Sequence, residues 1–99
     1  REIKNDVLSK TETDAIIIVD RADKLFFPDR HVRYPFRSEK TTELMPLFAS
    51  THPLYYYGIT LPQKDLEYLN DSKLKNIGLQ IEPVKTYQEE SLYHLYRNP

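Results

Sequence analysis

Two carboxylates, Asp20 and Asp23, come after the apolar run Ala15-Ile16-Ile17-Ile18-Val19 and flank Arg21-Ala22, with Lys24-Leu25 beyond them. A short β-branched run, apolar on both faces, has the pattern of a strand buried in a parallel sheet. Ligands of such sheets bind beyond the carboxyl ends of the strands, and an acidic residue there can hold Mg²⁺, usually through water. The same pattern serves a ligand-free protein equally well, with Asp20 a solvent-facing strand end or a helix cap.

A second group lies between Arg30 and Lys40, where Arg30, Arg33, Arg37 and Lys40 outnumber Asp29 and Glu39 and are interleaved with Tyr34 and Phe36. Arginines among aromatics suit phosphate contact or a protein interface. The plainer alternative is a solvated loop whose aromatics tuck back onto a sheet. Other combinations carry less. His31, His52 and His94 lack metal-ligand spacing, so no metal site is expected. Ser50-Thr51-His52 are sequence neighbours, which seldom reach the geometry of a catalytic triad. Glu39 and Lys40 are adjacent rather than separated as in a nuclease carboxylate–lysine pattern. Tyr55-Tyr56-Tyr57 suits core and sheet surface better than a base-stacking platform.

The elements that must position these residues alternate in type. Glu2 to Leu8 has helical spacing at Ile3, Val7 and Leu8, and Lys10 to Asp14 is a polar connection. Arg21 to Phe27 fits a second strand or a short helix, with the turn signal Pro28-Asp29 after it. Thr42 is the expected N-cap of a helix through Ala49, which places Pro46 in the first turn and Leu44, Leu47 and Phe48 on the apolar stripe. Leu54 to Thr60 reads as an aromatic strand. After Pro62, Leu66, Leu69, Leu74 and Ile77 recur at spacings of 3, 5 and 3, a helical face interrupted at Asn70-Asp71-Ser72 and capped by Gly78. Leu79-Gln80-Ile81 is expected to be a short strand ended by Pro83. Gln88 to Tyr96 is expected to be a final helix with Glu89 and Glu90 near its positive end.

Composition narrows the functional classes. The 99 residues suffice for one small domain, with 39% hydrophobic and 29% charged residues, an ordinary globular balance. Fourteen basic against fifteen acidic side chains give a net charge of −1, without the basic excess of a self-sufficient nucleic-acid binder. The absence of cysteine excludes a disulfide framework and fits a reducing, intracellular compartment, nuclear or cytoplasmic. The longest apolar run is far too short to span a membrane, so no membrane partner is expected. The chain opens on Arg1 rather than Met, and an upstream part is expected.

The run Ile16 to Asp20, with Asp23-Lys24-Leu25 after it, resembles the Walker B segment of P-loop ATPases of the AAA+ class. The order of the later segments extends the resemblance over roughly residues 10 to 97. Leu54 to Thr60 resembles the next core strand, with Thr60 at the sensor-1 position. Leu66 to Gly78 is similar to the helix that often carries an arginine finger, and Leu79 to Leu92 to the last core strand and the start of the lid. The resemblance implies an α/β fold: a partial parallel sheet with flanking helices, P-loop NTPase-like, in which strands 15–20, 54–60 and 79–81 run parallel. Residues 1–99 would be one segment of a larger domain whose phosphate-loop half lies upstream. It assigns Asp20, Asp23 and Thr60 to nucleotide and Mg²⁺ binding.

Three departures weaken catalysis. Arg21 stands where the class has its catalytic Glu, and a cation there repels Mg²⁺ and cannot act as a base. Asp71 to Asn76 contains no Arg, and Lys is a poor substitute where a planar fork is needed. With only two glycines the chain has no phosphate loop. No cofactor is therefore expected within this chain; ATP and Mg²⁺ would require the upstream loop. What remains is a degenerate module that assembles with other protein subunits, and with DNA through the assembly, similar to non-hydrolysing origin-recognition and chromatin-silencing relatives. The alternative is a small stand-alone α+β interaction domain unrelated to ATPases.

Overall fold

In the computed structural model, which describes residues 2–19, 31–32 and 36–99, the run Ile16–Val19 forms strand β1, and Ile17, Ile18 and Val19 are buried. Around it the order is α1 (Glu2–Lys10), β1, β2 (His31–Val32), α2 (Glu39–Thr51), β3 (Leu54–Ile59), α3 (Gln63–Tyr68), a π turn (Leu69–Lys73), a 3-10 turn (Lys75–Ile77), β4 (Leu79–Tyr87) and β5 (Glu90–Arg97). The fold is α/β, and both faces of its sheet are covered, as the apolar character of β1 requires. Met45 and Phe48 of α2 and Leu66, Leu69, Leu74 and Ile77 pack on Ile18, Leu54, Tyr56, Tyr93 and Leu95. On the opposite face Val7 and Ile3 of α1 pack with Ile17, Val19, Tyr55, Tyr57 and Leu92. Among the described residues no helix is long and apolar enough to cross a membrane.

The sheet order is β2-β1-β3-β5-β4. β1 pairs in parallel with β2 and with β3, Ile16 opposite Leu54 and Val19 opposite Tyr57. The expected parallel sheet stops there. β5 pairs antiparallel with β3 and with β4, so β4 runs in the direction of β1 and β3 but does not touch β3. The expected final helix over Gln88 to Tyr96 is therefore corrected to a strand. Leu92, Leu95 and Tyr96 satisfy a helical spacing, but the segment also alternates. Ser91, Tyr93 and Leu95 share one face and Leu92, His94 and Tyr96 the other, and a Tyr-rich stretch fits a sheet that has cores on both sides. Gln88-Glu89 is the two-residue loop of the hairpin, and Gln88 takes φ +60°.

Two boundaries also differ from expectation. Ser38, not Thr42, caps α2: its Oγ accepts from the Thr41 N–H at 3.1 Å. The helix thus starts earlier and Pro46 falls in its interior, where it can donate no hydrogen bond to Thr42. The buried stripe rotates to Thr41 and Met45, which leaves Leu47 59% exposed. β4 continues through Pro83, with a register irregularity between Pro83 and Lys85. That is tolerable because β4 is an edge strand, and edges and bulges are where sheets accept proline.

The spacing of 3, 5 and 3 after Pro62 has a direct structural cause. The interval of five coincides with the π turn, in which the Leu74 N–H donates to the Leu69 carbonyl at 2.8 Å. One extra residue in the turn keeps Leu69 and Leu74 on the same buried face. Gly78 at φ +79° then ends the segment, with Leu79 N–H to Leu74 O at 2.9 Å and Gly78 N–H to Lys75 O at 3.0 Å, the paired bonds of a Schellman cap. The π turn also carries Asn70 to the edge of β4. There its Oδ1 accepts from the Ile81 N–H at 2.8 Å and its Nδ2 donates to the Ile81 carbonyl at 3.0 Å. The side-chain amide thus completes the edge as a strand residue would, one of the ways edges are closed to foreign strands.

The edge clamp and the hairpin turn each have a measurable worth. Asn70→Ala strips both partners from the buried Ile81 backbone and is expected to cost about 1–3 kcal/mol in urea unfolding, with concentration-dependent association visible by sedimentation. Gln88→Gly relieves a left-handed backbone and is expected to stabilise by about 1 kcal/mol in the same assay.

Candidate functional site

The carboxyl ends of β1 and β3 are where the sequence placed its chemistry. Asp20 and Asp23 lie outside the described residues, as do Arg30, Arg33 and Tyr34. Thr60, directly beyond β3, is described and engaged. Its Oγ1 lies 2.7 Å from Ser91 Oγ, which lies 2.9 Å from Thr86 Oγ1, and its N–H donates to the Glu89 carbonyl at 2.9 Å. The next N–H, of Leu61, donates to the Tyr93 hydroxyl at 2.8 Å. The hydroxyl and the N–H of Thr60 are thus committed to the β4–β5 hairpin.

The glycines are committed as well. A Cβ on Gly58 would overlap the Tyr56 hydroxyl, whose ring lies along the strand over it, and Gly78 is the helix cap. Neither glycine belongs to a phosphate cradle. Among the described residues, no group of three His, Cys, Asp or Glu side chains converges. His52 is exposed, its Nδ1 2.8 Å from Thr51 Oγ1. His94 lies between two rings, stacked on Tyr96 with centroids 5.2 Å apart and tilted against Tyr55 at 5.0 Å.

The aromatic-basic segment divides. Phe36 is buried and stacks on Tyr56 with centroids 4.0 Å apart, so it anchors the segment, as the plainer alternative of aromatics tucked back onto the sheet describes. Lys40 is exposed in the first turn of α2. Arg37, next to the Phe36 anchor, is 71% exposed and reaches over α3, its Nη2 3.7 Å from Asp65 Oδ2. It borders a cleft of about 230 Å³ shared with Asp65, Tyr68, Leu69 and Lys73.

Local structure sets each wall of this cleft. Tyr68 ends α3 on the side away from the Leu66–Leu69 stripe and is 62% exposed; Leu69, buried, belongs to the core beneath; Lys73 ends the π turn. Among the described residues, Arg37 has only the long pair with Asp65, while Lys73 and the Tyr68 hydroxyl have no hydrogen-bond or ion-pair partner. The sequence singled out Arg37 but gave no notice of Asp65 or Tyr68 beside it. The available signal was an aromatic on the polar side of an otherwise regular apolar stripe.

A third polar group fastens α1 to the sheet. Tyr87 Oη donates to Asp6 Oδ2 at 2.5 Å, with Lys85 Nζ 3.4 Å and Lys10 Nζ 3.5 Å from the same carboxylate. Tyr55 donates to Glu12 at 2.7 Å and Tyr57 to Glu90 at 2.8 Å. The Tyr87 hydrogen bond, helped by the two lysines, holds the Asp6 carboxyl below its ordinary range, and burial together with the Asp6 charge pushes the Tyr87 phenol up. These groups hold structure together, each phenol and carboxylate being tied to its partner.

Comparison with protein-family models, curated proteins and solved structures finds no match.

Because the Asp6 pKa is lower folded than unfolded, its contribution to stability is present above the unfolded value near 3.8 and fades as pH falls through the folded one. Asp6→Asn is therefore expected to unfold at lower urea than the parent near neutral pH. The difference should narrow as the pH falls below 3.8; a difference unchanged from neutral to acid pH would contradict the charged interaction.

Proposed function

We propose that this chain is a non-catalytic module that works by assembling with other protein subunits, with the Arg37–Asp65–Tyr68–Leu69–Lys73 cleft as its docking surface. The observation that carries the proposal is a contrast between two sites. At the carboxyl end of β3 the Thr60 hydroxyl and N–H are both bonded internally. In the cleft an arginine, a tyrosine and a lysine converge with donors left over. Arg and Tyr are the residue types that most often dominate interface energetics when they border a pocket. With a net charge of −1, contact with DNA would come through the assembly rather than through this chain alone.

Kinship with the AAA+ class draws support from the parallel pairing of β1 and β3, from Thr60 directly past β3 and from the helix after it. The second reading, an interaction domain unrelated to ATPases, has an observation in its favour too. β3 is paired on both sides, by β1 and by β5, and β1 is flanked by β2 and β3. An upstream phosphate-loop strand would find no free edge on either. Both readings make the chain a binding module, and they differ only in its ancestry.

The test places a photo-crosslinking phenylalanine analogue at position 68 of the full-length protein in its own cells. A discrete protein adduct is expected that disappears with Arg37→Glu and is not formed from the equally exposed position 47. An adduct indifferent to Arg37 would overturn the docking surface. Mg²⁺-dependent ATP turnover abolished by Thr60→Val would overturn the non-catalytic reading.

A further inference from the structure

The cleft carries a more specific chemistry than general adhesion, and we infer that it receives a phosphorylated side chain of the docked partner. This rests on the docking reading. Three donors of different kinds come from three chain segments: the Arg37 guanidinium before α2, the Tyr68 phenol at the end of α3 and the Lys73 ammonium at the end of the π turn. A phosphomonoester offers three acceptor oxygens and a charge of about −1.5 to −2 at neutral pH. A carboxylate brings only one charge to the two cations, so it complements them less fully.

The charge balance agrees. Two cations and one carboxylate border the cleft, which leaves an excess of one positive charge. Asp65 is a weak competitor. It stands 3.7 Å from Arg37, with both side chains substantially exposed, whereas a charge-assisted hydrogen bond closes to about 2.7–2.9 Å. A dianion on the donor side of Arg37 can displace it. The Tyr68 ring and Leu69 supply apolar wall for the chain that bears the phosphoryl group. A lipid headgroup is a poorer occupant, because a chain of net charge −1 is not drawn to an anionic membrane surface.

The experiment is a heteronuclear NMR titration of the full chain with N-acetyl-phosphoserine methylamide, N-acetyl-glutamate methylamide, inorganic phosphate, and vesicles of phosphatidylcholine with a tenth part phosphatidylinositol phosphate. The phosphoserine amide is expected to shift Arg37, Tyr68 and Lys73 saturably, at least about tenfold more tightly than the glutamate amide. Arg37→Gln and Lys73→Gln should each weaken it by about tenfold, and Asp65→Asn should tighten it by about threefold. All three positions are on the surface, and unchanged dispersion elsewhere in the spectrum verifies the fold.

Equal binding of the glutamate amide, binding that survives Lys73→Gln, no preference over inorganic phosphate, or stronger binding to the vesicles would each overturn the inference. If the phosphoserine amide fails while the position-68 adduct still depends on Arg37, the docking reading stands and the phosphoryl inference alone falls.

Discussion

The double pairing of Leu54–Ile59 is the constraint on which the rest of this molecule depends. The strand gives one edge to β1 in parallel and the other to β5 in antiparallel, and no other described strand has partners of both kinds. Because β1 is parallel to it, the chain between them must cross over, and α2 lies on the way. Because β5 is antiparallel to it, the last strands close as a hairpin and α3 with its turns must cover the face that the hairpin shares with β3. Tyr56 and Tyr93 on that face, and Tyr55 and Tyr57 on the other, fill the space between sheet and helices. The aromatic-rich composition, without tryptophan, is the material of this double core.

That constraint also decides where chemistry can occur. In an open parallel sheet, strand ends diverge at a change of direction and leave a crevice for ligands. Here the carboxyl end of β3 is filled by the hairpin tip, whose Ser91 hydroxyl and Glu89 carbonyl bond to Thr60. Polar capacity is left instead on the helical layer, where α3 widens into a π turn. Such turns recur at functional sites, since they break the regular presentation of side chains.

The sequence made the α/β class legible, together with β1, β3, the Gly78 cap and the irregularity at Asn70-Asp71-Ser72. Each is a local signal: an apolar run, an aromatic run, a glycine after a periodic stretch, a spacing of five. The last strand was not legible, since Ser91 to Tyr96 carries both a helical and an alternating pattern and only the two cores it joins decide between them. The cap of α2 was misplaced because Ser38 and Thr42 offer the same chemistry four residues apart, and the choice rests on burying Met45 rather than Leu47. Of the candidate site, Arg37 was visible as one of a cationic group. Its neighbours Asp65, Tyr68 and Lys73 come from a segment about thirty residues away, and the packing of Phe36 on Tyr56 brings the two together.

The π turn has a consequence for how this protein tolerates change in length. A wide turn holds one more residue than the helix needs, so the segment can be regarded as a helix that has absorbed an insertion. Asn70 and Lys73 both sit within that turn, one holding the sheet edge and the other bordering the cleft. Loss of a single residue there would let the helix close to its ordinary pitch and keep its apolar stripe in step. The edge clamp and the cleft would go together. The clamp on the sheet edge and one border of the cleft thus depend on the same surplus position.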